Sequence, residues 1–229
     1  MKKKTFQRAF RDSIPVFAGY LCLGAGFGIL MHSAGFHIGW VLLMSTTIYG
    51  GAMQYVGVDL LSAGASLITT ALMTVMINAR YFFYSLSILG KYAHTGKAKP
   101  YLIFSLTDET FSLVNRAGAT DGVDENRYYL YLSALDQSYW ILGGIVGMVL
   151  GTVLPINTAG VEFVMTALFV TIYIDQWRQT KQHIPAILGV AISVVCLLLL
   201  GPDRFVIPAM IVITLVMGAF RRKLEGNAV

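Results

Sequence analysis

Apolar residues run in blocks at about 14–34, 39–63, 66–89, 101–115, 128–152, 160–177, 184–201 and 204–220, separated by short polar stretches. Most approach the roughly 20 residues that a helix needs to cross a hydrocarbon core about 30 Å thick. Lipid cannot satisfy open sheet edges, and the alternation expected of a barrel strand is missing from stretches such as Val194–Leu200. The expected fold is therefore all-α, a polytopic membrane helix bundle of about seven to eight membrane segments in one integral membrane domain, residues 1–229. Two blocks interrupt their own pattern. Tyr49-Gly50-Gly51-Ala52-Met53-Gln54 puts paired glycines and a glutamine inside the second, and the short fourth block carries Thr107-Asp108-Glu109 at its centre. Glycine lowers the cost of leaving helical geometry, and irregular backbone at membrane depth survives only when it is buried in protein or lines a cavity. Both blocks are expected to be broken or re-entrant and to meet at a central site, with Gly50 and Gly51 as the broken-helix glycines.

Composition agrees: 56% of residues are hydrophobic and 13% charged, against about 25% charged in soluble domains, and mean hydropathy is +0.66. The net charge of +5 reads as a topology signal. Lys2, Lys3, Lys4, Arg8 and Arg11 precede the first block, and Arg221, Arg222 and Lys223 follow the last, so the positive-inside rule puts both termini in the cytoplasm. Nothing in that charge calls for a nucleic-acid partner. Stretches near 32–39 and 155–160 lack Lys and Arg and read as external, while Arg178 and Lys181 mark a cytoplasmic loop. Lys91, Lys97 and Lys99 conflict with the rule if blocks two and four both span, and obey it if both are re-entrant. The basic N-terminus followed by an apolar run resembles a signal peptide, but Met31-His32-Ser33-Ala34 is a poor cleavage site and a retained helix is expected. Cys22 and Cys196 have no ligand-like spacing, so neither a disulfide nor a metal site is expected.

An Asp, Lys or Arg at the centre of a membrane helix costs about 2.5–3.5 kcal/mol even on lenient scales, so such residues need a reason. Candidates for substrate binding or coupling are Gln54, Asn78, Arg80, Asp108, Glu109 and Asp136. The plainer readings are a structural ion pair for Arg80, an interfacial helix-terminal role for Asp108 and Glu109, and a helix cap for Asp136. Gly143, Gly147 and Gly151 recur every fourth residue, as do Gly24 and Gly28, and form narrow helix-packing faces that suit either this chain's own helices or a partner's. Tyr20, Trp40, Tyr101 and Trp177 read as core or interface aromatics. No nucleophile elbow, His-Glu-x-x-His motif or phosphate-binding loop is present, so neither an enzyme nor a cofactor is expected. A passive pore, or an intramembrane enzyme acting on a lipid-linked substrate, stands as the alternative to a carrier.

At these residues the chain resembles the AzlC family, the large subunit of two-component branched-chain amino acid exporters. The matching stretches are Pro15-Val16-Phe17-Ala18-Gly19-Tyr20 leading to Gly24-Ala25-Gly26-Phe27-Gly28, then Tyr49-Gly50-Gly51-Ala52-Met53-Gln54-Tyr55, Asn78-Ala79-Arg80-Tyr81, and Leu106-Thr107-Asp108-Glu109-Thr110-Phe111. Tyr139-Trp140 and Glu162-Phe163 to Phe169 extend the likeness more loosely, and Tyr81 stands where the family often has histidine. The resemblance implies a single transporter domain that exports valine, leucine, isoleucine and methionine from a bacterial cytoplasmic membrane, together with a small AzlD-type membrane subunit. A zwitterionic amino acid must exchange water for protein groups at both charged ends. Arg80, or the start of a helix broken at Gly50-Gly51, is expected to receive its carboxylate, and Asp108 or Glu109 its ammonium. Protonation of a buried carboxylate would couple export to the proton gradient.

Overall fold

In the computed structural model, residues 2–117, 122–153 and 183–201 are described, with scattered positions between 163 and 178 and between 205 and 218. Every regular element among them is helical. The blocks at 160–177 and 204–220 lie largely outside the described residues. So do the 155–160 stretch, Glu162, Lys181, Arg221, Arg222 and Lys223. Two compact units are distinguished, Met1–Met165 and Thr166–Val229.

The first unit is built on two long helices, α1 (Lys2–Ser33) and α7 (Glu125–Val153). They run parallel. The Asp124 amide donates to Thr5 Oγ1 at 3.2 Å near their starts, Gly24 faces Gly143 in their middles, and Gly151 faces His32 near their ends. Small residues make this approach possible. A Cβ on Gly28 would run into the Gly144 carbonyl, and one on Gly147 into the Ala25 carbonyl. Helices in lipid gain nothing by hiding apolar surface from lipid, so dispersion between closely apposed backbones holds such a pair together. The glycine faces at 24–28 and 143–151 are thus taken up by each other. Of the two uses open to these faces, packing within this chain is the one seen.

Between the two long helices the chain forms α2 (Ile38–Thr47), α3 (Gly51–Ser62), α4 (Leu67–Ile88), α5 (Lys99–Phe104) and α6 (Asp108–Arg116). α2 and α3 fold back on each other, with Gln54 meeting Ser45 and Gly57 meeting Met44. This hairpin lies against the C-terminal half of α1, where Tyr55 donates to the Leu23 carbonyl at 2.7 Å and Val41 packs against Gly144 of α7. α5 and α6 form a second hairpin from the opposite end. Its α6 arm runs parallel to α4, with Asp108 beside Arg80, Phe111 stacked on Tyr84 at 4.5 Å, and the Val114, Asn115 and Ala117 carbonyls all accepting from Lys91 Nζ. A lysine on the bare carbonyls of a helix C-terminus satisfies them and complements the helix dipole.

The α4–α5 connection lies by the start of α7, because the Asn126 side chain donates to the His94 carbonyl at 3.0 Å. Lys91, Lys97 and Lys99 therefore share an end with Thr5, Arg8 and the N-terminal lysines. Two apolar clusters stack along the long helices. One is centred on Tyr92, Leu102, Val114 and Leu132, the other on Phe27, Val41, Tyr55 and Met148, and Leu113 and Leu135 touch both.

Outward-facing positions are apolar: Leu67 is 89% exposed, Val75 69% and Phe82 65%. Among the described residues, α1 is the one helix both long and apolar enough to cross a bilayer alone. α7 is long but interrupts its apolar run with Asp136, Gln137 and Ser138. In the second unit, α8 (Ile184–Leu200) is uniformly apolar and begins at His183, whose ring stacks on Trp177 at 4.1 Å.

Candidate binding site at the meeting of two helix breaks

The tips of the two hairpins meet: Tyr49 lies in the break between α2 and α3, and its ring contacts that of Phe104, at the end of α5, with centroids 6.3 Å apart. Tyr49 has a φ of +43°, and no other non-glycine among the described residues has a positive φ. A bulky residue in the left-handed region is strained by about 1–3 kcal/mol, and such strain gathers where geometry serves function. Its hydroxyl is buried beside Tyr20, without a hydrogen bond of good geometry.

Gly50 caps α3 without any side-chain hydrogen bond, so no capping side chain satisfies the first amides of that helix. The Asn78 Oδ1 atom, also unsatisfied, lies 3.7 Å from where a Gly50 Cβ would be. Gly51 must be small because the Trp140 ring covers it; an added Cβ would lie 3.0 Å from Cη2. Gln54 is fully buried and fully used. It accepts from Trp140 Nε1 at 2.8 Å and donates to Ser45 Oγ at 3.2 Å, which ties both arms of the hairpin to α7.

Across the gap, Thr107 caps α6, and its hydroxyl accepts from the Thr110 amide at 3.3 Å. Asp108 follows and pairs with Arg80 at 3.0 Å, with side chains 13% and 25% exposed. Arg80 also donates to the Tyr81 hydroxyl at 3.3 Å and lies over that ring. Asp108 Oδ1 is buried without a hydrogen bond of good geometry, and the Tyr84 hydroxyl lies close to this carboxylate. Glu109 accepts from the Tyr20 hydroxyl at 2.8 Å.

Asp136 is fully buried. It lies about 16 Å along α7 from Glu125, at 1.5 Å per residue, and so near the middle of a bilayer-sized helix. A capping role at the start of its helix is therefore ruled out. Its Oδ2 accepts from Thr110 Oγ1 at 2.7 Å, while Oδ1 has no partner.

The fold thus joins Arg80 to Asp108 directly and Glu109 to Asp136 through hydroxyls. Gln54 and Asn78 stand at the opposing break, and Gln54 acts as a strut there. Tyr49 and Trp140 lie at the break between α2 and α3, and Tyr20, Thr107 and Thr110 form the hydroxyl link between the acids; each stands in a stretch that carries the family resemblance, but none is a candidate by its own charge or polarity. Only the threonines left a signal, one at a cap position and one three residues on, flanking the two acids. Within the described residues no cluster could hold a metal ion.

The AzlC protein family matches residues 15–154, which include both breaks and every candidate site residue. The chain belongs to the AzlC family. It is 41% identical to the branched-chain amino acid transport protein AzlC of Bacillus subtilis, over 96% of this chain and 87% of that protein. It is also 41% identical to an uncharacterized membrane protein of Helicobacter pylori, over 97% of each. Identity to the inner membrane protein YgaZ of Escherichia coli is 28%, over 97% of this chain and 91% of that one. No solved structure matches. AzlC-family membership, these membrane relatives and the apolar helices together make this a membrane protein.

Proposed function

We propose that this AzlC-family chain is the large subunit of a secondary transporter that exports branched-chain and other hydrophobic amino acids, among them valine, leucine, isoleucine and methionine, in exchange for protons. The observation that carries the reading is the meeting of two broken helices at a buried, oppositely charged and incompletely satisfied site. Broken helices near mid-depth offer a polar guest bare helix ends in place of water. The substrate carboxylate goes to the uncapped start of α3, beside Asn78, or to Arg80. The ammonium goes to the buried Asp108 Oδ1. Tyr49, Phe104 and Tyr81 enclose the aliphatic side chain, which needs only apolar surface.

Opposed hairpins that return to the ends they came from favour re-entrant segments over full crossings. This arrangement lets Lys91, Lys97 and Lys99 share the cytoplasmic side with the N-terminal basic residues, as the positive-inside rule asks. Amino acid transport is supported by the name of the Bacillus subtilis relative. The outward direction, the bacterial cytoplasmic membrane, the single transporter domain and a small AzlD-type partner rest on the family resemblance. Such a partner would dock away from the glycine faces, which the two long helices use themselves.

The test is counterflow of radiolabelled valine and methionine in proteoliposomes, with and without a candidate small subunit. Exchange by the wild type, lost by at least about a hundredfold in Arg80→Ala and Asp108→Asn as a desolvated charge pair is broken, supports the carrier. Unsaturable flux that ignores both substitutions would instead identify a pore.

A further inference from the structure

Four short oxygen–oxygen contacts connect the two buried carboxyls that are not in the ion pair. Glu109 Oε2 meets the Tyr20 hydroxyl at 2.8 Å, Tyr20 meets Thr107 Oγ1 at 2.6 Å, Thr107 meets Thr110 Oγ1 at 3.1 Å, and Thr110 meets Asp136 Oδ2 at 2.7 Å. The links come from α1, α6 and α7, and every intermediate group is a hydroxyl that can accept one proton and donate another. Tyr20, Thr107, Thr110 and Asp136 are all buried, so water does not replace these contacts.

Counting protons is informative. The three hydroxyls carry three protons for four contacts, so the chain is saturated only when one, and only one, of the two carboxyls is protonated. With both ionised, one contact would press lone pairs together in a setting where two nearby negative charges already oppose each other.

We propose that Glu109 and Asp136 share a single transferable proton, relayed through Tyr20, Thr107 and Thr110. The transfer balances as follows. Glu109 gives its proton to the Tyr20 oxygen, Tyr20 gives its own to Thr107, Thr107 to Thr110, and Thr110 to Asp136. Four O–H bonds break and four form. Glu109 ends as the carboxylate, Asp136 as the acid, and the three hydroxyls remain neutral with their orientation reversed.

The groups surrounding the relay are acidic or phenolic. The groups that act electrostatically on Asp136 are Glu109, Tyr20, Tyr49, Tyr92, Tyr101 and Tyr128, and those that act on Glu109 include Asp108, Asp136, Tyr20, Tyr49 and Tyr81. Arg80, the cation at this site, is engaged with Asp108. A proton on Glu109 therefore lies one residue from the substrate's proposed ammonium site, while a proton on Asp136 lies within α7. Moving it between them changes the charge beside the substrate without uptake from water. This deepens the proposed function, on which its transport consequence rests.

Two measurements on the full chain separate the claims. In detergent or nanodiscs, with no amino acid present, the part of the infrared carboxylic-acid band that the double substitution Glu109→Gln, Asp136→Asn removes is expected to titrate in the wild type as one acid. The band should move when Thr110→Val or Tyr20→Phe removes a link, and return in Thr110→Ser. Two acids titrating independently, or a band unmoved by either substitution, would overturn the relay.

In proteoliposomes, Thr110→Val should lower pH-gradient-driven valine flux by about a hundredfold, the usual scale of a lost proton-transfer group, and by far more than it lowers valine exchange, and Thr110→Ser should restore driven flux. Driven flux unchanged in Thr110→Val overturns the relay. So does loss of exchange and driven flux together without rescue by serine, because that marks a helix cap. Should the wild type carry no amino acid, the transport reading fails and the infrared result alone judges the relay.

Discussion

Gly147→Ala adds one methyl group where the two long helices come closest. The new Cβ would lie 2.6 Å from both Cα and the carbonyl carbon of Ala25. Ordinary contact begins near 3.4 Å, so the backbones must separate by at least about 0.8 Å. Neither can yield locally, since the obstructing atoms are backbone within α1 and not the end of a flexible side chain. Overpacking of this kind costs about 1–3 kcal/mol. The same displacement strains the neighbouring Gly24–Gly143 and Gly28–Gly144 approaches, so the upper end of that range is expected.

Gly19→Ala supplies the control. It lies on the same α1, nothing lies within 4 Å of its added Cβ, and helix propensity favours the change by up to about 1 kcal/mol. Thermal unfolding of the purified protein in a mild detergent, followed by exposure of its buried tryptophan, should rank the three proteins Gly19→Ala, wild type, Gly147→Ala. An alanine at 147 as stable as the wild type would refute the parallel, glycine-mediated pairing of α1 and α7. Loss of a co-purifying small subunit from Gly147→Ala without loss of stability would return that face to a partner.

Replacement of Gln54 by leucine leaves the Trp140 indole N–H and the Ser45 hydroxyl buried without their partner. At about 1–3 kcal/mol for each orphaned group, it should destabilise the protein by about 2–6 kcal/mol in the same unfolding assay; a change below about 1 kcal/mol would mean that the strut does not hold the hairpin. Lys91→Met keeps the aliphatic stem but frees three carbonyls at the end of α6, and a loss of about 1–2 kcal/mol is expected. Faster proteolysis in the 105–124 region should accompany it, and unchanged proteolysis there would argue against the cap.

Much of this protein was legible from residue order alone. The helical class followed from the length and polarity of the blocks. Both interruptions could be located, because paired glycines with a glutamine, and adjacent acids in a short apolar run, leave few alternatives inside a hydrophobic solvent. The plainer reading of Asp136 as a helix cap is open in the sequence because its depth depends on where α7 begins, at Glu125, and helix ends are the least certain feature of a pattern. The lysines at 91, 97 and 99 could not be assigned a side from charge alone. The fold-back of α2 on α3, and of α6 on α5, provides the geometry that makes them consistent.

Sequence by itself determined which groups are too polar for lipid, since that follows from the chemistry of each side chain and its apolar neighbours. Tertiary structure alone decided how those groups are satisfied, because hydrogen-bond partners as much as 89 residues apart are set by helix register and by the close approach that glycine permits. Hence Arg80 and Asp108 were visible as a cation and an anion in need of company. Tyr20, an ordinary aromatic by any local reading, became a hydroxyl between two acids only once α1 was laid beside α6 and α7.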